Sequence, residues 1–407
     1  MIRYHAAWVL PIAEPPIRDG WVVVDRGRVV AVGRPGPADV RPDPREIEVD
    51  LGLVALLPGL VNAHTHLELS YMHDEVPPTR DFVTWVRAVV NERRRWPDAH
   101  APEILDAIDR AIAESVSSGT VLVGDISNTL ATFGPLARSP LAAVVFYEIL
   151  RFNAPDPEAV VAQARRQLDQ LTPTERVRAS LAAHAPYSVS PLLFRAIRQA
   201  SDRDPLAPCS VHLSESVEEV EFIKSGTGPW RRFLEEVGAW NPAWVAPGVS
   251  PVEYLDNNGF LHERVVVVHG VQMTASDLSR LAACRATLVT CPRSNGHTGA
   301  GAPPIADFFA SGVRVAVGTD SLASAPDLNV FAELATMRAL APDLPAASLL
   351  ESATRIGAEA LAFDADYGTI APGKRARLLM VRVTPDVTDV EEYLVSGIRP
   401  EQTRWLE

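Results

Sequence analysis

Eight short apolar runs, rich in Val and other β-formers, recur along the middle of the chain with helix-length segments between them. They are 58–66 (PGLVNAHTH), 120–126 (TVLVGDI), 142–149 (AAVVFYEI), 178–184 (RASLAAH), 209–213 (CSVHL), 265–270 (VVVVHG), 286–291 (ATLVTC) and 313–320 (VRVAVGTD). Continuous apolar runs, rather than alternating ones, suit parallel strands covered on both faces. Residues 102–117, 157–171, 274–283 and 326–340 carry helical patterns. Eight strand–helix units over roughly 300 residues predict an α/β chain built as a (β/α)8 TIM barrel.

The two ends of the chain read differently. Residues 19–33 (DGWVVVDRGRVVAVG) are two β-rich runs around Asp25-Arg26-Gly27, a hairpin signal. Residues 368–383 (GTIAPGKRARLLMVRV) read as further short strands with a Pro-Gly turn. Both ends are expected to form one small β-sandwich domain, from residues 1–57 and 368–407, with the barrel, 58–367, inserted between them.

Charge and cysteine use narrow the class. A net charge of −13 without a basic run argues against nucleic-acid binding. No stretch approaches the ~18 apolar residues of a membrane span. The apolar piece Ala6–Leu10 stops at Pro11 and runs into a strand pattern, unlike a signal peptide. Three cysteines (Cys209, Cys284, Cys291) with neither CxxC spacing nor an even-numbered framework fit a reducing, cytoplasmic compartment.

Polar residues gather where the runs end: His64 and His66, Asp125, His184, His212, His269 and Asp320. Active sites of such barrels sit at the C-terminal ends of the strands. His64-Thr65-His66 has i, i+2 spacing, which on a strand turns both imidazoles to one face, a natural half-site for a divalent metal. One buried histidine is readily absorbed by a core; five histidines and a carboxylate at one end of a barrel are not.

PGLVNAHTHLELS, HLSESVEEVEF, VVVVHGVQMT and GTDSLAS, in this order, resemble the amidohydrolase superfamily over essentially the whole chain. The resemblance implies metal ligands at His64, His66, His212 and Asp320. Many binuclear members bridge two metals with a carboxylated lysine on strand four. Run four here has none, and the chain's two lysines, Lys224 and Lys374, lie on no barrel strand. Glu148 leaves a second metal open. His212-Leu213-Ser214-Glu215 is similar to the mononuclear deaminase branch, in which the Glu shuttles protons while Asp320 and His269 orient the water. Read without the resemblance, Glu215 is also a suitable solvated helix start between Ser214 and Ser216.

Within that branch the loops look like those of enzymes acting on adenosine-like nucleosides. Implied substrate contacts are Phe82 and Trp85 as a stacking lid, His184 in HAPY, Ser324 after the metal aspartate, and Arg151 in EILRFN for a carboxylate or ribose. Phe82 and Trp85 at i, i+3 equally suit core packing, and His184 equally suits a bond to a carbonyl. The insert GTGPW…WNPAWVAPGVSPVEYL would wall the pocket or merely cover the barrel. GTDSLAS, DLNVFAEL and GTGPW together resemble aminodeoxyfutalosine deaminases of an alternative menaquinone route. Deaminases of S-adenosylhomocysteine, methylthioadenosine or guanine, and triazine or cyclic-amide hydrolases, are the alternatives. The expected cofactor is one divalent ion, Zn2+ by ligand type, with Fe2+ open. The expected partner is a small-molecule substrate, in a homodimer.

Overall fold

The computed structural model describes residues 1–34, 46–204 and 206–406. Eight parallel strands are hydrogen-bonded in sequence order: β1 (Leu60–Thr65), β2 (Thr120–Ser127), β3 (Ala142–Ile149), β4 (Val177–Ala183), β5 (Cys209–Leu213), β6 (Val265–His269), β7 (Thr287–Thr290) and β8 (Arg314–Val317). Every residue of β1, β2, β5, β6 and β7 is buried, as continuous apolar runs require. Helices between and after the strands, among them Pro102–Ser117, Pro157–Leu168, Ala275–Cys284 and Val330–Leu340, cover the outside, giving a (β/α)8 barrel.

β1 and β8 meet through a bridge between Thr65 and Asp320 and through side chains. Asn62 Nδ2 donates to Thr319 Oγ1 (2.7 Å), Thr319 N donates to Asn62 Oδ1 (3.0 Å), and Thr65 Oγ1 donates to the Asp320 carbonyl (2.9 Å). Gly318 makes this approach possible. A Cβ there would lie 2.6 Å from the His64 carbonyl oxygen and 2.8 Å from the His64 Cβ, both on backbone or rigid atoms. Gly318→Ala is therefore expected to cost roughly 1–3 kcal/mol through overpacking, read as a lowered Tm in a thermal melt. An unchanged Tm would show that β1 yields without strain.

The chain ends build a separate seven-stranded sheet in the order Thr403–Trp405, Leu378–Arg382, Val54–Pro58, Ile2–Val9, Ile17–Asp25, Arg28–Gly33, with Ile47–Asp50 also paired to Ile2–Val9. The hairpin turn falls at Arg26-Gly27, both with positive φ (48° and 72°), as a two-residue turn between twisted strands requires. Within 368–383 only Leu378–Arg382 is a strand. Residues 371–374 turn at Pro372-Gly373, where Gly373 takes φ 92°. Among the described residues no helix is long and apolar enough to cross a membrane.

Candidate active site

The histidine cluster forms where strands end. His64 and Thr65 close β1, His212 lies on β5 and His269 ends β6, while Asp320 lies three residues beyond β8. His66 Nε2 and His212 Nε2 lie 3.3 Å apart, and Asp320 Oδ1 is 3.5 Å from His66 Nε2 and 3.7 Å from His64 Nε2. Neither ring nitrogen of His64, 1 % exposed, has a hydrogen-bond partner. A buried polar atom without a partner costs free energy unless something else satisfies it. His64, His66 and Asp320 place ligand atoms within 4.8 Å of one another, as do His64, His212 and His269, and such a cluster with an orphaned nitrogen in it fits a divalent metal.

Protonation agrees with that donor set. Burial first, then the neighbouring imidazoles, holds His64 and His269 well below the ordinary histidine range. Burial, with His184 and Arg93 adding, lowers His66 to about 3; His212 is lowered to about 4, chiefly by burial. Neutral imidazoles are what metal ligation needs. His212 Nδ1 donates to the His184 carbonyl (3.0 Å), which leaves Nε2 as the acceptor on the cluster side. Ser294 Oγ donates to Asp320 Oδ2 (2.6 Å), and Asn295 Nδ2 lies 3.0 Å from His269 Nδ1.

Glu215 follows two residues after β5 and is 4 % exposed, not a solvated helix start. Its Oε2 is 3.5 Å from His269 Nε2. Burial, then the charges of Asp320 and Glu219, pushes its carboxyl well above the usual range. The helix cap is Ser216, whose side chain accepts from the Glu219 backbone at the start of a helix over Val217–Ser225. Glu219, fully buried, accepts from the backbone N–H of Ser214 (2.8 Å) and Glu215 (2.9 Å) and so fixes this turn. Ser214, His269 and Asp320 all take positive φ (53°, 77°, 60°), an uncommon conformation for such residues, concentrated at the strand ends that carry the cluster.

A cavity open at its mouth is lined by His66, His184, His212, Glu215, His269 and Asp320. Its apolar walls come from two helices. α1 (Phe82–Arg95), capped by Asp81 (2.7 Å to Thr84 N), presents Phe82, Trp85, Val86, Val89 and Val90 at helical spacing. α2 (Gly228–Glu236) presents Trp230, Phe233 and Leu234. Trp230 stacks on Tyr187 with ring centroids 3.7 Å apart, and Phe82 meets Trp230 edge-on at 6.1 Å. Phe82 and Trp85 thus belong to both the core and the cavity wall. The insert divides likewise: Trp230 lines the cavity, while Trp240 and Trp244 pack over Phe152.

Of the other residues singled out from the sequence, Arg151, Ser324 and Asp125 fall outside this cavity, while His184 and Glu148 line it. Arg151 is exposed and lines an adjoining groove with Tyr147, Glu148 and Leu150, because it lies beyond the end of β3 and bridges to Val189. Ser324 sits behind Asp320, 2.8 Å from Ser294 Oγ and 3.4 Å from Asp320 Oδ2. Asp125 accepts from Leu67 N (2.8 Å) and anchors the chain leaving β1; burial raises its pKa to about 8. His184 lines the cavity with Nδ1 2.5 Å from Ser188 Oγ, and Glu148 lines it with one oxygen 2.8 Å from Asn128 Nδ2. Arg93, Asn128, Ser294, Asn295 and Glu219 were not singled out; only SN after CPR, and an acid four residues beyond Glu215, stood in the sequence as signals.

Known proteins resemble this chain in sequence and fold. An aminodeoxyfutalosine deaminase of Deinococcus radiodurans is 33 % identical over 350 residues, covering 83 % of this chain and 80 % of the relative. The crystal structure of Helicobacter pylori aminofutalosine deaminase in complex with methylthio-coformycin superposes with a TM-score of 0.85 at 26 % identity, covering 100 % of this chain and 98 % of that one. An adenosine deaminase from Xanthomonas campestris with bound zinc gives 0.81 at 27 %, covering 99 % and 90 %. The sequence model described as the amidohydrolase family matches residues 55–397, from the last strand of the N-terminal segment through the whole barrel, and this chain belongs to that family.

Proposed function

We propose that the chain is a metal-dependent hydrolytic deaminase that converts the adenine moiety of a nucleoside-like molecule to hypoxanthine and ammonia, with 6-amino-6-deoxyfutalosine as its substrate. The observation that carries this reading is Glu215, a buried carboxyl lining the same cavity as a three-histidine, one-aspartate cluster and 3.5 Å from His269. The relative from D. radiodurans supports the substrate. A divalent cation held by His64, His66, His212 and Asp320, zinc by its donor set, supplies a nucleophile at neutral pH by lowering the pKa of water from 15.7 to about 7.

The chain's own residues then manage protons and position. Water adds at the amine-bearing ring carbon. Glu215 takes the proton the water gives up and delivers it to the adjacent ring nitrogen. A carboxyl pushed up by burial exchanges protons near neutral pH, where an ordinary one stays ionised. The remaining water proton goes to the amine, the C–N bond breaks with its electron pair on nitrogen, and ammonia leaves as the carbonyl forms. His269 Nε2, 3.5 Å from Glu215 Oε2, donates to the oxygen that becomes the carbonyl. Phe82, Trp85, Trp230 and His184 hold the base and exclude bulk water.

The test is a screen of purified protein for ammonia release from adenine nucleosides. Turnover of 6-amino-6-deoxyfutalosine at a kcat/KM at least tenfold above methylthioadenosine and S-adenosylhomocysteine is expected. A preference for either of those, or for guanine, would reassign the substrate while keeping the chemistry. Release of chloride or an alkylamine from a triazine, without deamination, would overturn it.

A further inference from the structure

Ser294 and Asn295 are neighbours on a short helix, Pro292–Thr298, that follows β7. Their side chains serve two sides of the site. Ser294 Oγ donates to Asp320 Oδ2 at 2.6 Å, while Asn295 Nδ2 lies 3.0 Å from His269 Nδ1. The first contact steadies a carboxylate. The second bears on which nitrogen of His269 carries its proton.

Asn295 is fully buried, and its backbone is pinned on both sides. Its N–H donates to the Cys291 carbonyl (3.0 Å), and its own carbonyl accepts from Gly301 N (3.2 Å) and Thr298 Oγ1 (3.4 Å). The amide therefore cannot swing out to solvent. Its Oδ1 is buried without a hydrogen-bond partner among the described residues, which costs the fold stability. A leucine of similar shape would strand no polar atom there. What asparagine adds is a donor at His269 Nδ1.

His269 is buried among the imidazoles of His64 and His212, with ring centroids 5.7 and 5.4 Å away. A neutral imidazole has one N–H to place, and its two nitrogens then have opposite roles. Nε2 lies 3.5 Å from Glu215 Oε2. Glu215 enters the reaction as a carboxylate, which can only accept, so an N–H at Nε2 is attracted and a lone pair repelled. That leaves Nδ1 as the acceptor, and the group that meets it is the Asn295 amide. Both neighbours select the same tautomer.

We propose that Asn295 is a positioning residue that acts through His269, holding Nδ1 as an acceptor so that the proton stays on Nε2, the nitrogen beside Glu215. This rests on the deaminase reading above and adds the residue that gives His269 its direction. The opposite tautomer would turn a lone pair toward the oxygen that gains negative charge, where a fixed donor is needed.

The test reads the tautomer directly. In Zn2+-loaded protein carrying nitrogen-15 in its histidine rings, long-range proton–nitrogen correlations distinguish a protonated ring nitrogen from a bare one. The His269 signals are those lost in His269→Gln. Wild-type protein should show Nε2 protonated and Nδ1 bare. Asn295→Asp keeps the shape but puts an acceptor where the donor stood, so the proton should move to Nδ1. With it, kcat on 6-amino-6-deoxyfutalosine should fall by roughly 10²–10³-fold, the cost of one lost donor at a developing oxyanion. KM should stay within about threefold, since the donor acts in the transition state. A merely structural role would lower kcat with Nε2 still carrying its proton, and that result overturns the proposal. So does a variant with wild-type kcat. A wild-type spectrum with the proton on Nδ1 overturns it too, and needs no variant to fold. If wild-type protein releases ammonia from no adenine nucleoside, the deaminase reading fails instead, and the wild-type spectrum still decides the role of Asn295.

Discussion

Replacing Glu215 with Gln is expected to lower kcat for adenine-nucleoside deamination by about 10³-fold, with the metal content unchanged. General acid–base groups contribute roughly 10²–10⁴-fold, and here one carboxyl is asked both to accept and to deliver a proton. Gln keeps the shape but can do neither. The backbone of the turn is held independently by Glu219, so the substitution removes chemistry rather than geometry. A stability readout distinguishes the two. Because the Glu215 pKa is raised in the folded state, the folded protein binds the proton more tightly than the unfolded chain. The stability that Glu215 contributes to metal-free protein therefore falls as pH rises above the ordinary carboxyl range near 4.5. Metal-free Glu215→Gln lacks that loss, and its Tm should exceed wild type by a margin that grows with pH. Full turnover in the variant would sink the proton-shuttle role.

Removing the metal should have an effect at least as large. Protein as purified is expected to hold one divalent ion per chain. Dialysis against a chelator should reduce turnover below about 1 % and Zn2+ should restore it, since the uncharged water that remains is a poor nucleophile. Two ions per chain would overturn the single-ion assignment and bring Glu148 in as a ligand. Binding that reaches 1,000 times Kd stabilises by about 4 kcal/mol, so chelation should also lower the Tm. In the metal-free protein the buried histidines act in the opposite sense to Glu215. His66, His184 and His212 are depressed to about 3, 3 and 4, principally by burial. Their folded pKa values lie below the unfolded value near 6.5, so the stability they contribute is present above that pH. It is lost progressively as pH falls from 6.5 toward 4. Metal-free His184→Gln, which lacks one of these contributions, should therefore lose less Tm between pH 7 and 5 than metal-free wild type, and an identical pH profile would contradict this.

The barrel was legible because parallel, doubly covered strands must be apolar without interruption. The starts of all eight runs lie within two residues of the strands observed. Strand ends were less legible: the last run continues to Asp320, whereas β8 stops at Val317, since Gly318-Thr319-Asp320 leaves the ladder to bond to His64 and Asn62. The terminal sheet was legible as a β unit but not in its pairing. Thr403–Trp405 is too short to show a pattern, and it exists because Leu378–Arg382 offers it an edge.

Periodicity and chain order by themselves determined the (β/α)8 architecture, the split β unit and the gathering of His64, His66, His212, His269 and Asp320 at one end. These follow from local rules: a strand's alternation, and the direction in which parallel strands all run. What only tertiary structure decided is which side chains share the cavity. Arg93 enters and Arg151 does not, Trp230 enters and Trp244 does not, and Glu215 is buried rather than solvated. Those outcomes depend on how α1 and α2 dock across the mouth of the barrel, on contacts between residues far apart in the chain that no local spacing encodes.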